Sequence, residues 1–152
     1  MKQALCIIAA GMLFACSNTD KNTTGSNTAV AGTAIDKTAA LNDSANYTQI
    51  QWMDSTMQDL GKLQDGQVVD IAWRFKNVGT KPLIVAQVQA GCGCTVAEKP
   101  EQPIAPGGEG IIRAKYNSKG QSMGTQRKTV TATVNTAQQT YPLEFMVNII
   151  KN

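Results

Sequence analysis

The chain has 152 residues, 14 basic against 11 acidic side chains, a formal net charge of +3 and no histidine. The missing imidazole removes the commonest general base and the commonest metal ligand, which weighs against acid–base catalysis and zinc binding. Beyond the first dozen residues no stretch approaches the roughly twenty apolar residues of a spanning helix, so no membrane-spanning helix is expected there.

Met1-Lys2-Gln3 is a short basic head, and the apolar run from Ala4 to Met12 is too short to cross a bilayer. Residues 1–15 therefore read as a signal peptide. Its end, Leu13-Phe14-Ala15-Cys16, resembles the lipobox of bacterial lipoproteins. That resemblance implies cleavage before Cys16, a diacylglycerol on its sulfur and a membrane as partner through the lipid anchor. Acyl chains at about 0.8 kcal/mol per buried methylene make such anchoring effectively permanent. Ser17, not aspartate, follows the cysteine, and Ser17-Asn18-Thr19-Asp20-Lys21 lacks a dense acidic run. In lipoproteins this pattern implies the outer membrane, facing the periplasm. An envelope location makes nucleic acid an implausible partner.

Residues 16–46 are rich in Asn, Thr, Ser, Ala and Gly, with no periodic apolar face, and cannot bury enough surface to offset ordering. They are expected to be a disordered tether, some thirty residues holding the domain on the order of 30 Å from the membrane. A short helix within Ala39 to Asn46 is compatible with the composition. Residues 47–152 then form one domain. Ile50 and Trp52 suggest a first strand. Val69, Ile71, Trp73 and Phe75 alternate with Asp70, Ala72, Arg74 and Lys76, the period of two of a half-buried strand. Turn residues from Asn77 to Pro82 precede a second run from Leu83 to Ala90, and Ala105-Pro106-Gly107-Gly108-Glu109-Gly110 is another break. Ile112, Ala114 and Tyr116 alternate with basic residues, Val130, Ala132 and Val134 with threonines, and Leu143, Phe145, Val147 and Ile149 close the chain. The pattern predicts an all-β, Ig-like antiparallel β-sandwich of about seven strands. Its inward set is expected to include Trp73, Phe75, Ile84, Val88, Ile112, Tyr116, Val130, Val134, Phe145 and Val147.

The segment from Gly66 to Gly120 resembles the bacterial domain of unknown function 1573, an Ig-like family found on secreted proteins and lipoproteins. The motifs carrying the likeness are Phe75-Lys76-Asn77-Val78-Gly79, Pro82-Leu83, Cys92-Gly93-Cys94-Thr95, Pro103-Ile104, Pro106-Gly107 and Tyr116-Asn117-Ser118. The resemblance extends over roughly residues 58 to 135. Two departures are Leu60, where members often carry an aromatic, and Gly108, which intervenes before Glu109. The resemblance implies fold and location; the family's name assigns no activity.

Once Cys6 leaves with the signal and Cys16 is acylated, Cys92 and Cys94 are the remaining thiols. Four readings compete. In an unbroken strand Ile84, Ala86, Val88, Ala90, Cys92, Cys94 and Val96 share one apolar face, so both thiols would fill core space. An oxidising compartment favours a disulfide, although residues i and i+2 of a straight strand stand roughly 6.6 Å apart and the chain would have to bend. So short a ring contributes only about 1.6 kcal/mol by the chain-entropy relation, which suits a switch better than a staple. Two thiolates with Met123 would suit Cu(I). An exchanging dithiol is the fourth reading, though no helix N-terminus follows to acidify a thiol.

Asp59, Asp65, Asp70, Glu98, Glu101 and Glu109 fall in turns or at outward positions, where carboxylates serve solubility. Arg74, Lys76, Arg113, Lys115, Arg127 and Lys128 are expected to protect sheet edges rather than merge into a binding face. Trp52 and Trp73 are expected in the core. The sequence thus predicts a non-enzymatic envelope lipoprotein whose domain is an adapter for another envelope protein or a polysaccharide. It predicts no cofactor, metal or small-molecule substrate. The alternative is a thiol-based redox or copper-handling periplasmic protein using Cys92 and Cys94.

Overall fold

The computed structural model describes residues 37–151; the expected signal peptide, Cys16 and the expected tether as far as Asp36 lie outside the described residues. A six-residue helix α1 (Lys37–Asn42) and a 3-10 turn (Ser44–Asn46) lead into eight strands. These are β1 (Ile50–Trp52), β2 (Met57–Gln64), β3 (Val68–Asn77), β4 (Val85–Ala90), β5 (Thr95–Glu98), β6 (Glu109–Asn117), β7 (Gly124–Val134) and β8 (Thr140–Ile150). They form two four-stranded sheets, ordered β1-β3-β6-β5 and β2-β8-β7-β4. The fold is the expected all-β sandwich, with eight strands rather than seven.

Alternation explains the layers. On β3, Ile71, Trp73 and Phe75 are buried while Asp70, Ala72 and Arg74 face solvent, and β6 repeats this with Ile112, Ala114 and Tyr116 inside. Val130, Ala132 and Val134 of β7 and Leu143, Phe145, Val147 and Ile149 of β8 supply the opposing face. Trp73 is wholly buried, and Trp52 packs edge-on against Phe75 with ring centroids 5.6 Å apart. The expected inward residues lie in or against this core, with one exception. Ile84 is buried outside it, lining a cavity of about 350 Å³ with Ala39, Ala40 and Pro82.

Two strands depart from the sequence expectation. β2 has apolar side chains at Leu60 and Leu63, a spacing of three, because its pairing with β8 shifts register between Asp59 and Lys62. Gly61 sits in that bulge at φ 69°, and its amide donates to Asp59 Oδ1. β2 also pairs with β8 in parallel, so the sandwich is not purely antiparallel. Leu60 packs against the core. β5 is the second departure: the chain leaves the β4 sheet after Ala90 and re-enters structure in the other sheet, so Val96 is 64% exposed instead of inward.

Packing on the domain begins before residue 47, inside the segment expected to be tether. Residues 37–46 pack on the domain, with Ala40 only 5% exposed. The Leu41 carbonyl accepts from Tyr47 Oη and Gln139 Nε2, Asn135 Nδ2 donates to the Asn46 carbonyl, and Lys37 Nζ donates to Glu101. The small side chain of Ala40 suits a helix laid closely on a surface, a contact that composition alone does not reveal.

Buried amides organise the sandwich end where β3 gives way to the Val78–Pro82 turn. Asn77 Nδ2 donates to the carbonyls of Lys81 and Ile104 at 2.8 and 2.9 Å. Its Oδ1 accepts from Thr48 Oγ1 and from the Gly79 amide. Its own amide and carbonyl bond Gly108 and Gly107. Asn135 plays a matching part, accepting from the Ile84 amide and donating to Asn46 and Pro82. Gly79 is required sterically, because a Cβ there would fall 2.2 Å from Thr48 Oγ1 and 2.5 Å from the Gln49 nitrogen. Ser118 Oγ lies 2.8 and 2.9 Å from the carbonyls of Gln64 and Gln67, tying the β2–β3 turn to the loop after β6.

Asn77→Ala removes a fully buried amide that bonds the Lys81 and Ile104 carbonyls, the Thr48 hydroxyl and the Gly79 amide, and is expected to cost about 3 kcal/mol, read as a lower urea midpoint. Asp54 is held by Arg74 through side-chain and main-chain hydrogen bonds that lower its pKa to about 2. A depressed folded-state pKa means this contribution is complete above the ordinary carboxylate value and is lost as pH falls from about 4 towards 2. Asp54→Asn should therefore flatten that part of the stability–pH curve in acid-titrated urea melts.

Candidate functional site

The Cys92-Gly93-Cys94-Thr95 segment occupies the corner where the chain crosses from one sheet to the other. β4 ends at Ala90, opposite Val130 of β7, and β5 begins at Thr95, opposite Tyr116 of β6. The isolated antiparallel bridge Leu83–Ile104 brings the chain back beside its start, so β4 and β5 are the arms of a splayed hairpin with the cysteines at its tip. A hydrogen bond from the Thr95 amide to the Cys92 carbonyl, 3.3 Å, closes the turn.

Cys92 and Cys94 are joined by a disulfide with Cα atoms 5.2 Å apart. A straight strand would hold them about 6.6 Å apart, so the bend brings them within bonding range. One tie reaches each sheet. On the β4 side the Gly91 amide donates to the Thr129 carbonyl at 2.9 Å, and on the β5 side the Asn117 amide donates to the Cys94 carbonyl at 2.9 Å. Gly91 permits this approach, since a Cβ there would lie 3.2 Å from the Thr129 oxygen. Gly93 is different: a Cβ on it would meet nothing within 4 Å. The residue between the cysteines is open to solvent.

Thr95 is buried, and its hydroxyl lies 3.6 Å from Cys92 Sγ and 3.8 Å from Cys94 Sγ. Both cysteines are half-buried; Cys94 packs against the core, whereas Cys92 lies outside that cluster. Beneath the corner, burial raises the pKa of the Tyr116 phenol, and the ammonium of Lys128 stands 5.9 Å from its ring centroid. While bonded to each other the two sulfurs are not thiolates and cannot ligate copper as the alternative reading requires. Met123 is 52% exposed in the loop before β7.

The six cations singled out in the sequence do not converge. Arg74, Lys76, Arg113 and Lys115 lie on the outer face of the first sheet, interleaved with Asp70, Glu98 and Glu109. Arg74 pairs with Asp54, Lys115 with Asp70, and Arg127, on the other sheet, with Glu144. Exposed pairs of this kind contribute little stability each.

The corner creates a feature that the sequence did not reveal. β7 runs from Gly124, but β4 covers only Val130 to Val134. Because the Thr129 carbonyl points towards β4, the main-chain groups of Thr125 and Arg127 point the same way, away from β8. Among the described residues no strand pairs with that edge.

A family model described as a protein of unknown function, DUF1573, matches residues 50–149. The chain belongs to this family. No curated protein matches the sequence. A protein of unknown function from Porphyromonas gingivalis W83 is similar in structure, with a TM-score of 0.61 and 22% identity, covering 70% of this chain and 49% of that one. The chain thus spans about half the length of that protein. A family 123 glycoside hydrolase from Clostridium perfringens gives a TM-score of 0.50 at 6% identity, over 66% of this chain and 24% of that one. An ASH/PapD-like domain of human CEP192 gives 0.48 at 8% identity, covering 91% of this chain and 98% of that one. At these identities the first two likenesses concern the fold alone. Most motif residues of the family now have physical roles: Asn77 and Gly79 fix the end of β3, Ser118 fixes the loop after β6, and Cys92 to Thr95 form the corner.

Replacing both cysteines by alanine is expected to lower stability by about 2 kcal/mol or less, because the ring closed is so small. Urea unfolding of the double variant, with an unchanged m value, checks this.

Proposed function

We propose that the chain is a component of the cell envelope, held on the outer membrane by a lipid at Cys16 and facing the periplasm. Its Ig-like domain serves as a non-enzymatic adapter that binds an extended segment of another envelope protein. The observation that carries this reading is the unpaired edge of β7 from Gly124 to Lys128, beside the corner where β4 turns away. An open edge offers alternating amides and carbonyls, and an incoming strand completes the sheet through main-chain bonds. The other edges are less inviting: β1 and β5 have three and four residues, and the outer strands β2 and β4 each carry a register shift. The residues of the family motifs are largely occupied in holding the fold, which leaves recognition to the edges. The reading involves no cofactor and no small-molecule substrate.

Thr125→Pro removes an amide hydrogen that the β8 ladder does not use, so the sandwich should remain intact. With a photo-crosslinking residue at Gln126 in intact cells, the wild-type background should yield a discrete protein adduct that the Thr125→Pro background loses. Equal adducts in both backgrounds, with the β-sheet circular dichroism unchanged, would exclude this edge as the binding site.

A further inference from the structure

We propose that Cys92–Cys94 is a thiol–disulfide exchange site, with Cys92 the sulfur attacked, Cys94 the leaving thiolate and Thr95 the hydroxyl that stabilises it. The co-reactant is a protein dithiol of the thioredoxin class. This inference is independent of the adapter reading. It goes beyond the presence of a disulfide, because the geometry distinguishes the two sulfurs.

Three observations converge on it. Gly93, between the cysteines, has open space where a side chain would stand, so a second protein's backbone can approach the bond closely. Both cysteines are half-buried, but Cys94 packs on the core and Cys92 does not, so an attacking thiolate reaches Cys92 without displacing a core contact. The Thr95 hydroxyl, held in a buried position between the strands, lies within reach of both sulfurs and can donate to whichever becomes anionic. A disulfide that only stapled the fold would need neither the exposed glycine nor the hydroxyl.

The chemistry balances without a further reagent. A thiolate of the dithiol attacks Cys92 Sγ, a mixed disulfide forms, and the Cys92–Cys94 bond breaks with its electron pair on Cys94 Sγ. That thiolate accepts the Thr95 hydrogen bond and then a proton from water. The second thiolate of the co-reactant attacks its own first sulfur, closes its internal disulfide and releases Cys92 as a thiolate, which is also protonated. Two electrons and two protons have passed from the dithiol to the corner, and the reverse sequence reoxidises it. Opening the bond frees the tip between its ties to Thr129 and Asn117, so local main-chain protection should fall there while the sheets persist.

The test uses the intact chain, purified without reductant, and a thioredoxin whose resolving cysteine is replaced by serine. A covalent adduct should form without denaturant, and peptide mass mapping should place it on Cys92. With unmodified thioredoxin the chain should gain two hydrogens and keep its β-sheet circular dichroism. Thr95→Val, which preserves shape, should slow reduction about tenfold, and Gly93→Val should slow it while leaving the urea midpoint unchanged. An adduct on Cys94, reduction only after unfolding, or a Thr95→Val variant as fast as wild type would each overturn the assignment.

Discussion

The architecture depends on the buried side-chain amide of Asn77. At the end of β3 the chain must turn back and start the other sheet, and a turn packed against a core cannot leave its main-chain groups to water. Asn77 meets that demand with both ends of one side chain, binding Lys81 and Ile104 with its nitrogen and Thr48 and Gly79 with its oxygen. Holding Ile104 beside Leu83 has a distant effect. It obliges the intervening twenty residues to double back, and the doubling back places a corner at Cys92–Cys94.

That corner separates two behaviours of one strand. Up to Ala90 the chain is a partner for β7; beyond it, the chain belongs to the opposite sheet and β7 is left with an open edge. The disulfide, the close approach of Gly91 to Thr129 and the bond from Asn117 to Cys94 hold the two arms apart. A covalent link spanning three residues adds little to global stability, yet it fixes the direction of the chain at the point where direction decides which sheet is extended. Exposed edge and reducible bond are therefore neighbours for a topological reason.

Membership of a family defined by sequence, with no activity attached, gains physical content here. In the turn Phe75-Lys76-Asn77-Val78-Gly79 the phenylalanine fills the core, the asparagine side chain makes four hydrogen bonds and the glycine avoids overlap with Thr48. The Cys-Gly-Cys-Thr motif differs in character, because its glycine meets no steric demand from the domain. A residue unconstrained from within is where a partner from outside has room.

The local alternation of apolar and polar residues was enough to reveal β3, β6, β7 and β8, because each has one face on the core and one in water. It placed Trp73, Phe75, Tyr116 and Phe145 inside from their positions alone, and the family motifs were readable because they are short and contiguous. β2 was hidden by its bulge, which turns a period of two into a spacing of three at Leu60 and Leu63. β5 was hidden by the opposite defect: the even positions from Ile84 to Val96 are all apolar, so the sequence continues a pattern that the chain abandons at Gly91. A short helix was compatible with the composition of residues 39–46, but the docking of α1 was not legible, since it rests on contacts with Gln139 and Glu101 far along the chain as well as with nearby Tyr47. The sequence by itself determined which residues face inward along each strand. Only the tertiary structure decided which sheet each strand joins, the parallel pairing of β2, and the disulfide's place at a sheet crossing, because those follow from hydrogen bonds between segments that one-dimensional periodicity does not relate.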